Sequence, residues 1–236
     1  MSLTVFVGCQ PSTSQTPESV DSAGQEEPAA SVFAETDGMV AVEAEDFAKQ
    51  SSTDIRQWYI IEEGTTDLPT PDPDGNHAAG ASGSAYVEIL PDTRTTHDDE
   101  LQHGVNFSNE PGKMAILEYS VHFTDTGKYY VWVRTHTSGT EDNGIHVGLD
   151  GAWPATGQRM QFDGNKKEWS WESRQRTKEV HTGVPELIYL LIDTPGIHTI
   201  AFSMREDGFE FDKWVMSKEY VAPEGPGPTP ALYRPG

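Results

Sequence analysis

Short stretches in which apolar and polar residues alternate recur along the chain, separated by Gly- and Pro-rich segments. Clear examples are MVAVEAEDF (39–47), GKYYVWVRTHT (127–137) and IHTIAFSM (197–204). A period of two residues turns one face of a strand toward a core and the other toward water. The pattern recurs in about ten segments, and none shows a convincing amphipathic helix, so it predicts an all-β fold, a β-sandwich of jelly-roll type.

The charge balance limits the partners of such a domain. The 236 residues include 38 acidic and 16 basic side chains, a formal net charge of −22. A surface of this sign repels nucleic-acid phosphates and anionic lipids, so we expect no nucleic-acid partner. Neutral polysaccharides, oligosaccharides and cations are the compatible ligands, and we expect a monomer.

The single cysteine, Cys9, excludes an internal disulfide. Its surroundings, VFVGCQ, are similar to a bacterial lipobox, in which the cysteine carries the lipid. No basic residue precedes it and the apolar run is short, so an accidental cysteine is the alternative. The motif predicts lipidation at Cys9 and an outer-membrane lipoprotein of a Gram-negative bacterium, at the cell surface or in the periplasm, whose only membrane contact is the lipid anchor.

Composition divides the chain into three parts. Residues 1–37 combine the lipobox-like start with a Ser-, Thr-, Pro- and Glu-rich segment, which predicts a disordered acidic tether. Residues 38–220 hold the strand signals, and residues 221–236 form a Pro/Gly-rich tail. Within the domain, the long polar segments 62–83 and 91–112 are predicted to be surface loops, and loops of that length are often functional.

Three segments carry a family resemblance. VAVEAEDF (40–47), GKYYVWVR (127–134) and PGIHTIAFSMREDGFEFDKWVMS (195–217) resemble the opening strand, the central strand and the closing strand pair of carbohydrate-binding module families 6 and 35. The resemblance implies a galactose-binding-like β-sandwich that binds polysaccharide without cleaving it, and that targets a surface lipoprotein or an associated enzyme to glycans. The segment between Glu141 and Arg176 is not typical of those families.

A calcium site is predicted where the first and last strands meet. Glu43 and Glu45 share one face of the first strand, and Asp212 approaches them if the last strand pairs beside it. Clustered carboxylates repel unless a cation neutralises them, and hard cations prefer oxygen ligands. The resemblance implies a structural calcium at these three residues; a solvated acidic strand face is the alternative.

A second acidic run, PDPDGNH (71–77), is superficially similar to half of an EF-hand loop. Its glycine comes too early, and the twelfth position counted from Asp72 is Gly83 instead of glutamate. We therefore predict a turn-rich loop here and no metal site.

The sugar site is predicted from donors, acceptors and aromatic rings. Arg205 and Asp207 lie in the turn MREDG (204–208), which we expect at an open edge of the sandwich, although a salt-bridged turn would look the same. The hydrogen-bonding candidates are Asn143, His146, Arg159, Arg205 and Asp207.

The tryptophans divide into core and surface candidates. Trp132 and Trp214 lie among apolar strand residues and are predicted to be core. Trp169 and Trp171 stand two positions apart in NKKEWSWESRQR (165–176), among charges, and Trp153 lies in a loop of small residues. Sugar rings stack on exposed indoles. We expect at least one of these three to be exposed as a binding platform.

No catalytic residue is predicted. The chain has no G-x-S-x-G or H-E-x-x-H motif, and carboxylate pairs such as Glu141/Asp142 and Glu206/Asp207 arise by chance in so acidic a sequence. Two alternatives to a binding module stay open. One is a polysaccharide-active enzyme, a glycoside hydrolase or lyase; the other is a protein-interaction or adhesion module.

Overall fold

The structure, a computed structural model, describes Met1 and residues 31–53 and 55–235. Cys9 and most of the predicted tether lie outside the described residues. The described part contains sixteen strands and four three-residue 3-10 helices, so the all-β prediction is confirmed. No helix in that part has the length and hydropathy needed to cross a membrane.

The strands are short and follow the alternating segments of the sequence. They are β1 (Val32–Ala34), β2 (Met39–Glu43), β3 (Lys49–Ser51), β4 (Gln57–Glu62), β5 (Ala85–Leu90), β6 (Ile116–Phe123), β7 (Gly127–Thr135), β8 (Gly144–Leu149), β9 (Met160–Gln161), β10 (Ser170–Glu172), β11 (Arg174–Gln175), β12 (Val184–Pro185), β13 (Tyr189–Ile192), β14 (Gly196–Met204), β15 (Glu210–Phe211) and β16 (Lys213–Ser217). The 3-10 helices span Ala44–Asp46, Ala78–Gly80, Ser82–Ser84 and Ala155–Gly157.

The strands form three sheets. The first has eight strands in the order β1-β6-β14-β8-β9-β11-β12, with β3 also on β6. The second has five, β10-β7-β16-β2, with β13 also on β7. The third is the short sheet β15-β5-β4. Because β13 and β14 follow each other in the chain but belong to different sheets, the Thr-Pro-Gly segment between them is a crossover between sheets.

The core lies between the first two sheets. In β6, buried and partly buried residues alternate without a break along its eight residues, as expected for a strand with one face on a core. Tyr119 of β6 meets Trp214 of β16 edge to face, with ring centroids 5.2 Å apart. Trp214 is fully buried in this core, so its core prediction is confirmed. Trp132 is 6% exposed but belongs to a separate cluster with Ala41 and Val215, on the face of β7 opposite to Val131 and Val133.

The folded domain begins earlier than predicted. Strand β1 pairs in parallel with β6, and the Glu35 carboxylate accepts hydrogen bonds from the backbone N–H groups of Gly38 (2.5 Å), Thr124 and Asp125 (both 3.1 Å). The prediction that residues 31–37 belong to a disordered tether is therefore wrong. A three-residue strand is too short to show an alternating pattern, and its pairing partner lies far away in the sequence.

The Pro/Gly-rich tail is packed onto the domain. The backbone N–H of Tyr233 donates to the carbonyl of Val32 at 2.8 Å. The ring of Tyr233 stacks on His122 of β6, with centroids 3.9 Å apart and planes 9° from parallel. Prolines suit such a path because their missing N–H groups are not needed for a regular ladder. The two ends of the described domain therefore meet at β1.

Candidate functional site

The short third sheet places two glutamates opposite each other. Glu88 of β5 and Glu210 of β15 are directly paired in the antiparallel register, and each is 1% exposed. All six residues of β5 are buried. Like charges directly opposite each other across a strand pair are destabilising, so this pair requires protons or cations nearby.

The long loop 62–83 and the end of β7 bring further ionisable groups to the same place. Oxygen atoms of Asp72, Asp74 and Glu88 lie within 4.8 Å of one another, and ligand atoms of His77, His136 and Glu210 do the same. We call these six residues the acidic–histidine cluster. Within the described residues, no lysine or arginine forms an ion pair with any of its carboxylates.

The two histidines face one carboxylate. Nδ1 of His77 lies 2.7 Å from Oε1 of Glu210, and Nδ1 of His136 lies 3.6 Å from Oε2 of the same group. The imidazole rings stack, with centroids 3.6 Å apart and planes 26° from parallel. Both rings thus direct a nitrogen atom toward Glu210.

Burial controls ionisation in the cluster. Burial, followed by the charges of neighbouring carboxylates, raises the pKa of Glu88 and of Glu210 well above the ordinary range. Burial also raises the pKa of Asp72 to about 6. It lowers the pKa of His77, and it lowers the pKa of His136 to about 4, with His77 adding to the effect. Near neutral pH the imidazoles are therefore uncharged, the form that binds metals.

A pocket opens beside the cluster. It has a volume of about 280 Å³ and is lined by Pro73, Asp74, Asp92, Thr95, Thr96, Ser138, Gly139 and Asp142. We call it the acidic pocket. The N–H groups of Ser138 and Gly139 donate to Oδ2 of Asp142, at 2.6 and 2.9 Å, while its Oδ1 has no partner. Burial, then the charges of Asp207 and Asp142, raise the pKa of Asp92 to about 7.

Close backbone packing holds Asp92 at this pocket. Gly208 has a φ of +69°, and a Cβ atom there would lie 2.5 Å from Cγ of Asp92. Only glycine allows both the turn and this approach. A wider depression of about 670 Å³ lies elsewhere, lined by Thr53, His103, Gly104, Ser108, Asn109, Glu110, Lys113 and Met114. It contains no comparable group of buried, unpartnered carboxylates, and the acidic pocket is the better candidate.

The predicted calcium residues do come together. Strand β16 pairs with β2, and Lys213 lies opposite Glu43 with Nζ 2.7 Å from Oε1. Asp212 forms an ion pair with Arg134 and accepts a hydrogen bond from the N–H of Ser82 at 2.7 Å. Two cations therefore balance part of the charge that the sequence placed here.

Some ligand capacity remains in the Glu43–Glu45–Asp212 triad. Burial raises the pKa of Glu45 to about 8, and the nearby Glu43 and Asp212 add to the effect. Oε2 of Glu43 and Oε2 of Glu45 are buried without a hydrogen-bond partner. Buried carboxylate oxygens without partners are ligands of the kind that calcium takes. Both oxygens of Asp212 already accept hydrogen bonds, and Glu45 lies in the 3-10 helix Ala44–Asp46 instead of on the first strand as predicted.

The predicted sugar-binding turn is buried. Arg205 is 3% exposed, forms an ion pair with Glu206 and lies over the ring of Phe107 at 4.9 Å. Asp207 is fully buried and accepts a hydrogen bond from Arg56 at 2.6 Å. The expectation of an open edge at this turn is wrong, because the turn folds inward against β4, β5 and their loops.

Asn143 and His146 are also internal. The amide of Gln161 donates to Oδ1 of Asn143 at 2.7 Å. The backbone N–H of Arg159 donates to Nδ1 of His146 at 2.9 Å, so Nε2 carries the proton and donates to the carbonyl of Ser108 at 3.1 Å. These two side chains hold loops together and face no open surface. The Arg159 side chain is half-buried.

The three candidate tryptophans are half-buried, so the prediction of an exposed indole is wrong. Trp169 donates its indole N–H to the carbonyl of His77 at 3.1 Å, and Trp171 donates to the carbonyl of Gly225 at 2.9 Å. Trp153 lies on Gly112, where an added Cβ atom would be 2.2 Å from its nitrogen. Each ring holds down a loop, and Trp169 and Trp171 belong to different apolar clusters.

Sequence reasoning missed the acidic–histidine cluster. Its signal was the run PDPDGNH, which contributes Asp72, Asp74 and His77 but was interpreted as a turn-rich loop. Glu88 follows 11 residues after His77, whereas His136 and Glu210 follow 59 and 133 residues after it. No local spacing rule connects such positions.

Residues 74–230 match the Glycosyl hydrolase family 115 C-terminal domain, and the chain belongs to this family. A relative from Formosa agariphila, named only as an uncharacterized protein, is 54% identical over 203 residues. The match covers 85% of this chain and 49% of the relative, so the chain spans about half the length of that protein.

Solved structures of family 35 carbohydrate-binding modules are among those similar to this chain. A module of this family from Clostridium thermocellum is 18% identical with a TM-score of 0.40, covering 75% of this chain and 96% of the module. A second, from Paenibacillus barcinonensis, is 15% identical with a TM-score of 0.41, covering 76% and 98%. These likenesses decide nothing about a ligand.

Proposed function

We propose that the protein is a non-catalytic carbohydrate-binding module that brings a larger glycan-active protein to its polysaccharide. The observation that carries the proposal is membership of a family described as the C-terminal domain of glycosyl hydrolases. Holding a catalytic partner at the polymer raises its effective concentration without any chemistry in the module itself.

We place the glycan in the acidic pocket. Its hydroxyl groups (Thr95, Thr96 and Ser138) and carboxylates (Asp74, Asp92 and Asp142) are donors and acceptors that match sugar hydroxyls. The unpartnered Oδ1 atoms of Asp92 and Asp142 gain most from such donors, because a buried acceptor without a partner is costly. The negative charge favours neutral over anionic polysaccharides.

The test is affinity electrophoresis and calorimetry with soluble neutral, uronic-acid-containing and sulfated polysaccharides. We expect a neutral polysaccharide to bind, and the double variant Asp92→Asn/Ser138→Ala to weaken its binding at least ~10-fold. Lys113→Ala, in the wider depression, is the matched control and keeps full affinity. Absence of binding to every polysaccharide would contradict the function, and unchanged binding by the double variant would contradict its location.

A second candidate function is hydrolysis or elimination by the same pocket. The observation that favours it is the raised pKa of Asp92, about 7, which burial causes beside ionised neighbours, since a carboxyl group of this kind can act as a general acid. Incubation of the purified protein with each bound polysaccharide separates the two cases. New reducing ends, lost in Asp92→Asn, support the enzyme, and an unchanged polymer supports the binding module.

We also propose a structural calcium ion at Glu43, Glu45 and Asp212. Its support is the pair of buried, unpartnered Oε2 atoms of Glu43 and Glu45. Calcium added to the metal-free protein is expected to raise the melting temperature of the wild type, and Glu45→Gln is expected to remove this response. Glu118→Gln, at a partly exposed pair with Lys49, is the control. An unresponsive wild type would eliminate this site.

The cell-surface location remains a proposal. It is supported by the motif VFVGCQ, in which Cys9 is the lipid-carrying residue, and by the acidic segment that follows. Mass spectrometry of the protein purified from its native membrane should find a diacylglycerol thioether on Cys9. Recovery of the unmodified cysteine would remove this proposal and leave the binding function untouched.

A further inference from the structure

Several buried polar atoms of the acidic–histidine cluster have no hydrogen-bond partner. They are Oδ1 of Asp72, Oδ1 of Asp74, Oε1 of Glu88, Nδ1 of His136 and Oε2 of Glu210. Glu88 and Glu210 are 1% exposed and His136 is 5% exposed. Buried polar atoms in folded proteins almost always have partners. Two of these five, Nδ1 of His136 and Oε2 of Glu210, belong to one group of neighbouring ligand atoms with His77, and this pair indicates a ligand.

The arrangement of the orphaned atoms fits a metal ion. Nδ1 of His136 and Oε2 of Glu210 are 3.6 Å apart, too far for a hydrogen bond. Two ligand atoms that each lie about 2.1 Å from a tetrahedral ion are about 3.4 Å from each other. Nδ1 of His77 contacts the other oxygen atom of Glu210, Oε1, at 2.7 Å. An ion between the stacked imidazoles and Glu210 would satisfy atoms that no protein group reaches.

We propose that the acidic–histidine cluster binds a divalent metal ion of the zinc class, with His77, His136 and Glu210 as ligands. Two imidazoles and one carboxylate form a ligand set typical of zinc and related borderline metals. Asp74 belongs to the neighbouring group with Asp72 and Glu88, so the fourth position is left to a water molecule. The three ligands are not residues of the calcium triad, and none of them lines the acidic pocket.

The site would join three separate parts of the chain. His77 and Asp74 come from the loop 62–83, His136 follows β7, and Glu210 belongs to β15. A metal ion at this point anchors the long loop to the sandwich and neutralises the carboxylates behind the acidic pocket. Its removal is therefore expected to loosen this loop and lower stability, because a ligand that binds only the folded state stabilises it by mass action.

The test begins with metal content. The full chain, without an added histidine tag, is dialysed against zinc and then against metal-free buffer, and zinc is measured by elemental analysis. We expect near-equimolar zinc in the wild type and at least a tenfold weaker affinity in His77→Ala and Glu210→Gln. His97→Ala is the matched control, since that imidazole is 76% exposed, and it should retain zinc.

Two measurements on the wild type keep the test decisive if a variant fails to fold. Cobalt added in place of zinc should give the visible absorption of a tetrahedral ion with nitrogen ligands, and chelator should lower the melting temperature. Absence of bound zinc with no thermal response overturns the proposal, as does zinc that folded His77→Ala and Glu210→Gln retain. Because no glycan is present, failure here is distinguishable from failure of the binding function.

Discussion

Two groups of buried carboxylates differ in how their charge is balanced. In the Glu43–Glu45–Asp212 triad, Lys213 lies opposite Glu43 and Arg134 pairs with Asp212. In the acidic–histidine cluster, the residue opposite Glu210 is another glutamate, and the nearest positive partners would be histidines whose pKa burial lowers. Strand pairing thus places a lysine opposite a glutamate in the first group and two glutamates opposite each other in the second.

The comparison shows that two buried carboxylates can have opposite effects on the free energy of unfolding. A paired carboxylate stabilises its buried cation, and removing it leaves an uncompensated charge. An unpaired carboxylate among others is destabilising until a proton or metal arrives. Neutralising Asp212, which pairs with Arg134, should therefore lower stability, and neutralising Glu88, which has no cation partner among the described residues, should raise it.

The largest effect is expected for Asp212→Asn. The change leaves Arg134, whose side chain is 10% exposed, without its ion-pair partner. Removal of one member of a buried pair typically costs about 3–5 kcal/mol, and we expect a loss near the lower value because the amide keeps some hydrogen bonds. Urea denaturation in chelator, which excludes any metal contribution, measures it. A stability equal to wild type would show that the pair contributes nothing.

Glu35 is a third kind of buried carboxylate, whose charge is stabilised by N–H and O–H donors instead of by a cation. The variant Glu35→Gln tests it. Burial alone would raise the pKa of Glu35, but hydrogen bonds from the Thr124 hydroxyl and three backbone N–H groups outweigh it and lower the pKa. The ionised group then contributes stability above its unfolded pKa, and this contribution is lost as pH falls through the lower folded pKa. We expect a loss of about 1.5 kcal/mol at pH 7.

The pH series provides the control for this variant. The difference between wild type and Glu35→Gln, measured by urea denaturation, should shrink steadily as pH decreases below about 4, where the unfolded glutamate is protonated. A difference that stays constant from pH 7 to pH 3 would show that the amide substitution acts through packing and not through charge.

Glu88→Gln is expected to have the opposite sign. In chelator at pH 7, removal of one acidic group from the cluster should stabilise the protein by about 1 kcal/mol, the scale of a single pKa unit. The measurement is the urea midpoint, with Glu118→Gln as the exposed control. If Glu88→Gln destabilised the metal-free protein, the claim that unpaired carboxylates in this cluster lower stability would be wrong.

The smallest effect is expected at the surface. Lys49 forms a 3.4 Å ion pair with Glu118, and its side chain is 64% exposed. Such pairs contribute about 0–1 kcal/mol and are screened by salt. Lys49→Met should therefore leave the urea midpoint within about 0.5 kcal/mol of wild type. A larger loss would mean that an exposed ion pair can contribute as much stability as the buried Arg134–Asp212 pair.

Part of the fold could be predicted from the alternation of apolar and polar residues in single segments. The alternation in GKYYVWVR places Val131 and Val133 in the core between the sheets. The approach of Asp212 to Glu43 was conditional on the last strand lying beside the first, and β16 does pair with β2. Strands β1, β9, β11, β12 and β15 are two or three residues long. A period of two cannot be recognised over so few residues, and their places depend on partners distant in the chain.

The burial of polar residues was not readable in this way. Arg205 and Asp207 form a polar turn in the sequence, yet Glu206 and Arg56 pair with them inside the domain. The charged surroundings of Trp169 and Trp171 likewise indicated exposure. Glycines at positions 80 and 227 instead give each indole a flat backbone surface to cover. For Asp207 and for both indoles the deciding partner is far away in the chain.

The sequence by itself determined the all-β class, the core strands and the strongly negative charge, because each depends on local periodicity or composition. Tertiary structure decided which acids lie together without cations, which tryptophans hold loops in place, and that both chain segments flanking the domain dock on it. The physical reason is that burial and the approach of distant charges, unlike strand alternation, are set only when the sheets and long loops close over one another.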